Sequence, residues 1–266
     1  MVVDLTGFAL SDRPTVDRVA GRPCLAHAGS RPVTTPSPRI SSPVMKPQSV
    51  IIVLAAGLGS RFKGPQHKLS QTLGSATVLG QTISHAIASQ LQVVVVTTEK
   101  LAAEAARWVA RRDLVLLPEV GSERDASGAL GGRGGGELGM GFSIAAGVAA
   151  RPQAPGWLVL PGDMPLVTPA TMRAVAHALS QCPVVFAQHQ GRRGHPVGFA
   201  AELFSELVQL EGEQGARRVT ARYPCLGLEL PDPGVLIDVD TEADLAALRA
   251  QARDGSDPVP AVASQS

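Results

Sequence analysis

Several short stretches of this 266-residue sequence carry side chains that could act on phosphate. One is Leu54-Ala55-Ala56-Gly57-Leu58-Gly59-Ser60-Arg61-Phe62, followed by Lys68-Leu69. Glycines at 57 and 59 permit tight turns whose N–H groups converge on anionic oxygens. Arg61 and Lys68 add two cations able to neutralise a triphosphate, and Lys68 is expected to be an exposed loop cation with little weight in stability. Another is Leu158-Val159-Leu160-Pro161-Gly162-Asp163, which ends an apolar run in a carboxylate. Mg²⁺ on nucleotide phosphates needs only one or two protein carboxylates, so Asp163 is a candidate ligand, with a turn cap as the plain alternative. In Asp238-Val239-Asp240, a strand's period of two would put both carboxylates on one face. There they could share a metal ion or simply be solvated.

Two familiar nucleotide loops do not match. A dinucleotide fingerprint needs a third glycine where Phe62 stands, and a Walker A loop needs Lys-Ser/Thr where Pro65-Gln66 follow. A plain glycine turn therefore remains the alternative for residues 57–59. Gly139-Met140-Gly141-Phe142-Ser143 opens a helical stretch, so its amides and Ser143 could touch phosphate, with an N-cap at Ser143 as the alternative. His195, beside a proline, and His67 are weaker candidates. Arg192 and Arg193 could meet an anion or be solvated at a turn. Thr241 and Asp244 have capping-box spacing, which makes Asp244 structural. No Ser-His-Asp or Cys-His constellation is evident.

The elements that must position these residues follow from the apolar pattern. It predicts strands over Val50–Ala55, Val93–Thr97, Leu114–Leu117 and Trp157–Leu160, and helices over Val78–Ser89, Lys100–Arg111 and Gly139–Ala150. Thr168 as N-cap with Pro169 at N1 starts a helix that runs to Ser180. Pro183–Ala187 and Pro196–Phe199 read as strands around a Gly191–Gly194 turn. Ala201–Leu210 reads as helix, Val235–Val239 as a final strand and Thr241–Ala250 as a final helix. This alternation predicts an α/β domain with a mainly parallel sheet covered by helices. In such sheets ligands lie beyond the carboxyl ends of the strands, near the switch in strand order.

Residues 1–48 are expected to form a disordered Pro/Ser-rich extension, with Met45 as an alternative translation start, and 252–266 a disordered tail. That leaves 49–251 as the domain. The 24 Lys+Arg against 23 Asp+Glu give a net charge of +1, which argues against a protein devoted to nucleic-acid polymers or anionic membranes. Aromatic residues at 3% argue against base-stacking platforms. The longest apolar run, Val50–Ala56, falls well short of the ~20 residues that cross a bilayer. Three cysteines without CxxC spacing, and no signal-peptide pattern, point to a reducing cytoplasm.

The stretch LAAGLGSRF…HKL resembles the signature loop of the MobA-like NTP transferases, closest to their molybdenum cofactor cytidylyltransferases. Further matches run in order: ELGMGFSIAAG from Glu137, LVLPGDMPLV from Leu158, RRGHPVGF from Arg192, EGEQGARR from Glu211 and DVDTEADL from Asp238. They span about Val50 to Ala250; the loop from Phe62 to Lys68 and the glycine-rich segment 121–136 depart from the pattern. The resemblance implies a single Rossmann-like three-layer domain of the nucleotide-diphospho-sugar transferase type and an Mg²⁺-dependent nucleotidyltransferase. It implies catalytic roles for Arg61, Lys68 and Asp163, and metal binding by Asp163 and Asp240. Nucleotide contacts fall to Leu54, Ala55, Ala56, Gly57, Gly59, Arg61, Lys68, Gly141 and Ser143, and acceptor contacts to His195 and Arg193. Ala56, where guanylyl-transferring relatives usually have glycine, points to CMP transfer from CTP. The implied acceptor is molybdopterin, with release of pyrophosphate and transient contact with a molybdoenzyme or its maturation chaperone. The alternatives are another phosphorylated acceptor, such as a sugar phosphate or isoprenoid precursor, or a non-catalytic nucleotide- or cofactor-binding protein. A non-catalytic relative is expected to lose Asp163 or Asp240, and both are present.

Overall fold

Six consecutive apolar residues, Val50–Ala55, form β1 at the middle of a seven-stranded sheet. Ile51, Val53 and Ala55 enter one apolar cluster, Val50 and Ile52 another, so the strand's period of two lets it serve both faces. Each such Val or Ile, fully buried, contributes about 1.5–3 kcal/mol. The computed structural model describes residues 48–57, 59, 62, 66–118, 139–212 and 214–254, all within the unit Met45–Ser266.

The remaining strands are β2 (Thr72–Leu73), β3 (Ala76–Thr77), β4 (Gln92–Thr98), β5 (Leu114–Leu117), β6 (Gly156–Pro161), β7 (Val184–His189), β8 (Arg192–Ala200) and β9 (Cys225–Glu229). The helices are α1 (Val78–Ala88), α2 (Glu99–Ala105), α3 (Met140–Ala149), α4 (Pro169–Ala178), α5 (Phe204–Leu207), α6 (Arg217–Arg222) and α7 (Glu242–Asp254). β2 and β3 form a separate hairpin; the main sheet has the order β5-β4-β1-β6-β8-β7-β9. Only β8 runs against the others. Ile83 of α1, Val175 of α4 and Leu245 of α7 pack on one face of the sheet, and Ile144 of α3, Leu207 of α5 and Val219 of α6 on the other. The result is the three-layer α/β fold that the strand–helix alternation predicts. The chain runs outward from β1 through β4 to β5, then returns to β6 on the other side of β1. That reversal opens a crevice at the carboxyl ends of β1 and β6.

Thr168 caps α4 as expected, its hydroxyl accepting from the Thr171 N–H, with Pro169 at the first helical position. Three sequence expectations are corrected. The strand expected over Val235–Val239 does not form: Pro233–Leu236 is a 3₁₀ turn, and among the described residues a single backbone bond, from Val239 N–H to Asp163 O at 2.9 Å, ties this segment to the chain just past β6. Pro233 lacks an amide, and Asp232 captures the Gly234 N–H, so the local bonds favour a turn over a ladder. The helix expected over Lys100–Arg111 ends at Ala105, where turns bring the Trp108 indole against Gly80 of α1. The helix expected over Ala201–Leu210 divides into a 3₁₀ turn, Ala201–Leu203, and the short α5. The sequence expectations do not include the hairpin β2–β3, α6 or β9; α6 and the two-residue strands are too short to show a period, but Leu226, Leu228 and Leu230 alternate along β9 and just past it and pack on the core. Residues 1–47, the segment 121–136 and the tail from 255 lie outside the described residues. Among the described residues, no helix is long and apolar enough to cross a membrane.

Asp232 organises this corner. Buried to 5% exposure, it accepts from Thr168 N (3.0 Å), Thr168 Oγ1 (2.9 Å), Thr171 Oγ1 (2.5 Å) and Gly234 N (3.0 Å). Asp232→Ala strands these donors away from water, and a stability loss of about 3 kcal/mol is expected in urea unfolding. A loss within experimental error would show that the corner repacks around the missing carboxylate.

Candidate active site

β6 pairs with β1 so that Val53 faces Leu160 and Leu54 faces Pro161. The Gly162 N–H continues this ladder to Leu54 O at 2.8 Å, which delivers Asp163 just past the carboxyl end of β1. A Cβ on Gly162 would lie 2.9 Å from Leu54 O, so glycine permits this approach. Leu54 and Ala55 end β1, and Ala56, Gly57 and Gly59 follow into the same crevice.

Lys68 comes from a 3₁₀ turn, Lys68–Ser70, and reaches across the crevice. Its Nζ donates to Asp163 Oδ2 at 2.6 Å and to Asp240 Oδ1 at 2.7 Å. The side chains of Lys68, Asp163 and Asp240 are 13%, 17% and 29% exposed, so Lys68 is not the exposed loop cation expected from the sequence. Burial by itself would lower its pKa; the charges and hydrogen bonds of Asp163 and Asp240 outweigh that and hold the ammonium above its ordinary value.

Asp163 Oδ1 is buried without a hydrogen-bond partner. A bare carboxylate oxygen beside a second carboxylate matches the donor set of a hard divalent cation. Asp163 and Asp240 therefore fit a metal that completes its shell with phosphate and water. No cluster of three or more His, Cys, Asp or Glu suited to a metal occurs among the described residues. Partial burial, with the charges of Asp240 and Asp163, pushes the Asp238 carboxyl up. The face-sharing argument for Asp238 and Asp240 fails because no strand forms there. Asp240 is instead fixed by the turn that starts α7: Asp244 Oδ2 accepts from Thr241 N (2.7 Å), Thr241 Oγ1 (2.8 Å) and Asp240 N (3.2 Å). The Asp244 N–H returns a bond to Thr241 Oγ1 at 3.2 Å, which closes the capping box.

His195 enters from β8, whose opposite direction places its first residues beyond the carboxyl end of β6. Burial lowers its pKa against the opposing pull of Asp163, which favours the neutral ring. Arg193, across a register shift between β7 and β8 from His195, is exposed and holds its guanidinium 4.9 Å from the centre of the Phe186 ring. Arg192 is exposed at the hairpin. The expected contribution of Gly141 is corrected: its N–H donates to Gly212 O at 3.0 Å, and a Cβ there would lie 2.7 Å from Glu211 O. That amide joins α3 to the backbone of residues 211–212 and does not point to a ligand. Ser143 is buried inside α3, and Gly139 holds the N-cap position instead. Arg61 lies outside the described residues. Sequence reasoning ranked His67 low and missed its contacts with Gly57 and Leu69.

The MobA-like NTP transferase domain matches residues 51–226. The chain belongs to this family. Its members are nucleotidyltransferases, and the match covers every strand from β1 to β8. The structure of Rv0371c from Mycobacterium tuberculosis is similar, with 26% identity, a TM-score of 0.62 and coverage of 76% of this chain and 98% of that one. A manganese complex of Rv0371c gives 25% identity and a TM-score of 0.59 over 76% and 98% of the two chains. Molybdopterin-guanine dinucleotide biosynthesis protein A from Archaeoglobus fulgidus shares the fold at 17% identity and a TM-score of 0.52, over 77% of this chain and 99% of that one. No curated protein matches the sequence.

Proposed function

We propose that this protein transfers CMP from CTP to the phosphate of molybdopterin, releases pyrophosphate and uses Mg²⁺. The observation that carries this reading is the meeting of Lys68, Asp163 and Asp240 at the carboxyl ends of β1 and β6. Asp163 and Asp240 would hold the cation, which supplies neutralising charge at the phosphate oxygens; the manganese complex of Rv0371c supports a divalent metal. The ammonium of Lys68 has three donors, two directed at the carboxylates, and offers the third to a triphosphate oxygen. Gly57 and Gly59 shape the phosphate loop, and Arg61 is assigned as a second cation for the triphosphate through the family resemblance.

In the transfer, an acceptor phosphate oxygen bonds to the α-phosphorus as the bond to the pyrophosphate oxygen breaks. That acceptor oxygen is already anionic, so no general base is required, and positioning with charge neutralisation supplies the catalysis. Neutral His195 donates a hydrogen bond on the acceptor side, and Arg193 adds a cation at its rim. Ala56 supports CTP over GTP, and the ordered motifs support a molybdopterin acceptor, both through the family resemblance. Residues 49–251 form the catalytic unit in this reading, which works in the cytoplasm.

The test mixes the purified protein and Mg²⁺ with CTP or GTP and with molybdopterin, a sugar phosphate or an isoprenoid phosphate. Pyrophosphate release with CTP and molybdopterin alone supports the reading. Release with another pair replaces the substrates, and nucleotide binding without any release reduces the protein to a carrier.

A further inference from the structure

The glycine loop and Lys68 come from separate local structures, and the imidazole of His67 joins them. Its Nδ1 accepts from the Leu69 N–H at 3.2 Å, capping the 3₁₀ turn that carries Lys68. With Nδ1 an acceptor, the ring proton lies on Nε2, which donates to Gly57 O at 3.0 Å. Burial, chiefly, lowers the ring's pKa; the bond to Gly57 and the charge of Asp163 act against it, and Lys68 and Lys100 act with it. The neutral ring is the form that accepts at one nitrogen and donates at the other. The same ring lies against Gly59, where a Cβ would meet Nε2 at 3.2 Å and Lys68 Cγ at 3.4 Å. Gly59 has φ +62°, a conformation that disfavours any larger residue.

We propose that His67 is a positioning residue that sets the spacing between the Gly57–Gly59 loop and the Lys68 ammonium, and through it the affinity for the triphosphate. This rests on the nucleotidyltransferase reading. A cap alone needs one short acceptor, which Ser, Thr, Asp or Asn supplies. The second bond, to Gly57 O, needs a donor on the far side of the same side chain.

The test separates the two bonds. In His67→Asn the amide oxygen replaces Nδ1 as the cap but cannot reach Gly57; in His67→Gln the amide nitrogen approaches the Nε2 position; His67→Ala removes both. Thermal unfolding without ligand is compared with calorimetric binding of CTP and GTP in Mg²⁺. His67→Asn should melt near the wild type yet bind nucleotide about tenfold more weakly, the worth of one lost hydrogen bond. His67→Gln should recover affinity over His67→Ala. Wild-type affinity in His67→Asn would reduce His67 to a cap and overturn the proposal. If His67→Asn is unstable, the decision passes to His67→Gln: affinity above that of His67→Ala supports the proposal, and equal affinity overturns it. A wild-type protein that binds neither CTP nor GTP overturns the nucleotidyltransferase reading itself, and the proposal with it.

Discussion

Asp163→Asn should leave the protein folded and cut turnover by roughly a hundredfold or more. Loss of an outer partner that merely orients a metal ligand costs about 10–100-fold in metal affinity or activity, and in the proposed mechanism Asp163 touches the metal directly. Asn keeps the shape and one carbonyl oxygen, but its uncharged oxygen is a poorer ligand for a hard cation. Raising Mg²⁺ or Mn²⁺ should recover part of the rate. Unfolding without ligand should change little: Lys68 retains Asp240, and the substituted amide still presents an oxygen to the ammonium. Removing one of three neighbouring carboxylates also relieves part of the repulsion that, after burial, pushes the Asp238 carboxyl up. A folded variant with wild-type turnover would make Asp163 only an ion-pair partner of Lys68 and would sink its place in the mechanism.

Lys68→Met should lower both stability and nucleotide affinity. Methionine keeps the aliphatic stem but leaves Asp163 and Asp240 facing each other in a partly buried site. Removing one partner of such a pair costs about 3 kcal/mol, measurable by denaturant unfolding in the presence of a chelator. Because the ammonium and a divalent cation neutralise the same two carboxylates, Mn²⁺ should raise the melting temperature of the variant more than that of the wild type. CTP affinity measured by calorimetry should fall as well. Unchanged affinity would remove Lys68 from the nucleotide site and leave it a structural cation.

The frame of this protein is legible in the sequence because its signals are local. An unbroken β-branched run identifies β1 as a buried central strand, and Leu158–Asp163 shows a strand delivering a carboxylate. Thr168-Pro169 and Thr241…Asp244 mark helix starts through caps that involve neighbours three residues apart. The ordered motifs likewise point to the family that matches residues 51–226. The charge arrangement of the site is different in kind. Lys68 meets partners 95 and 172 residues away, and nothing local to Lys68 distinguishes a solvated lysine from one held by two carboxylates. Gly141 resembles a helix-start amide open to phosphate until residues 211–212 fold onto it and take the bond. Val235–Val239 has the apolar pattern of a strand, but Asp232 and Pro233 favour a turn, and the chain just past β6 offers it a single backbone bond. Residue types and local spacing thus determine most of the central strands and long helices, and the carboxylate delivered past the end of β6. Pairing, burial and the direction of each polar group depend on backbones brought together from distant parts of the chain, and only the tertiary structure decides them.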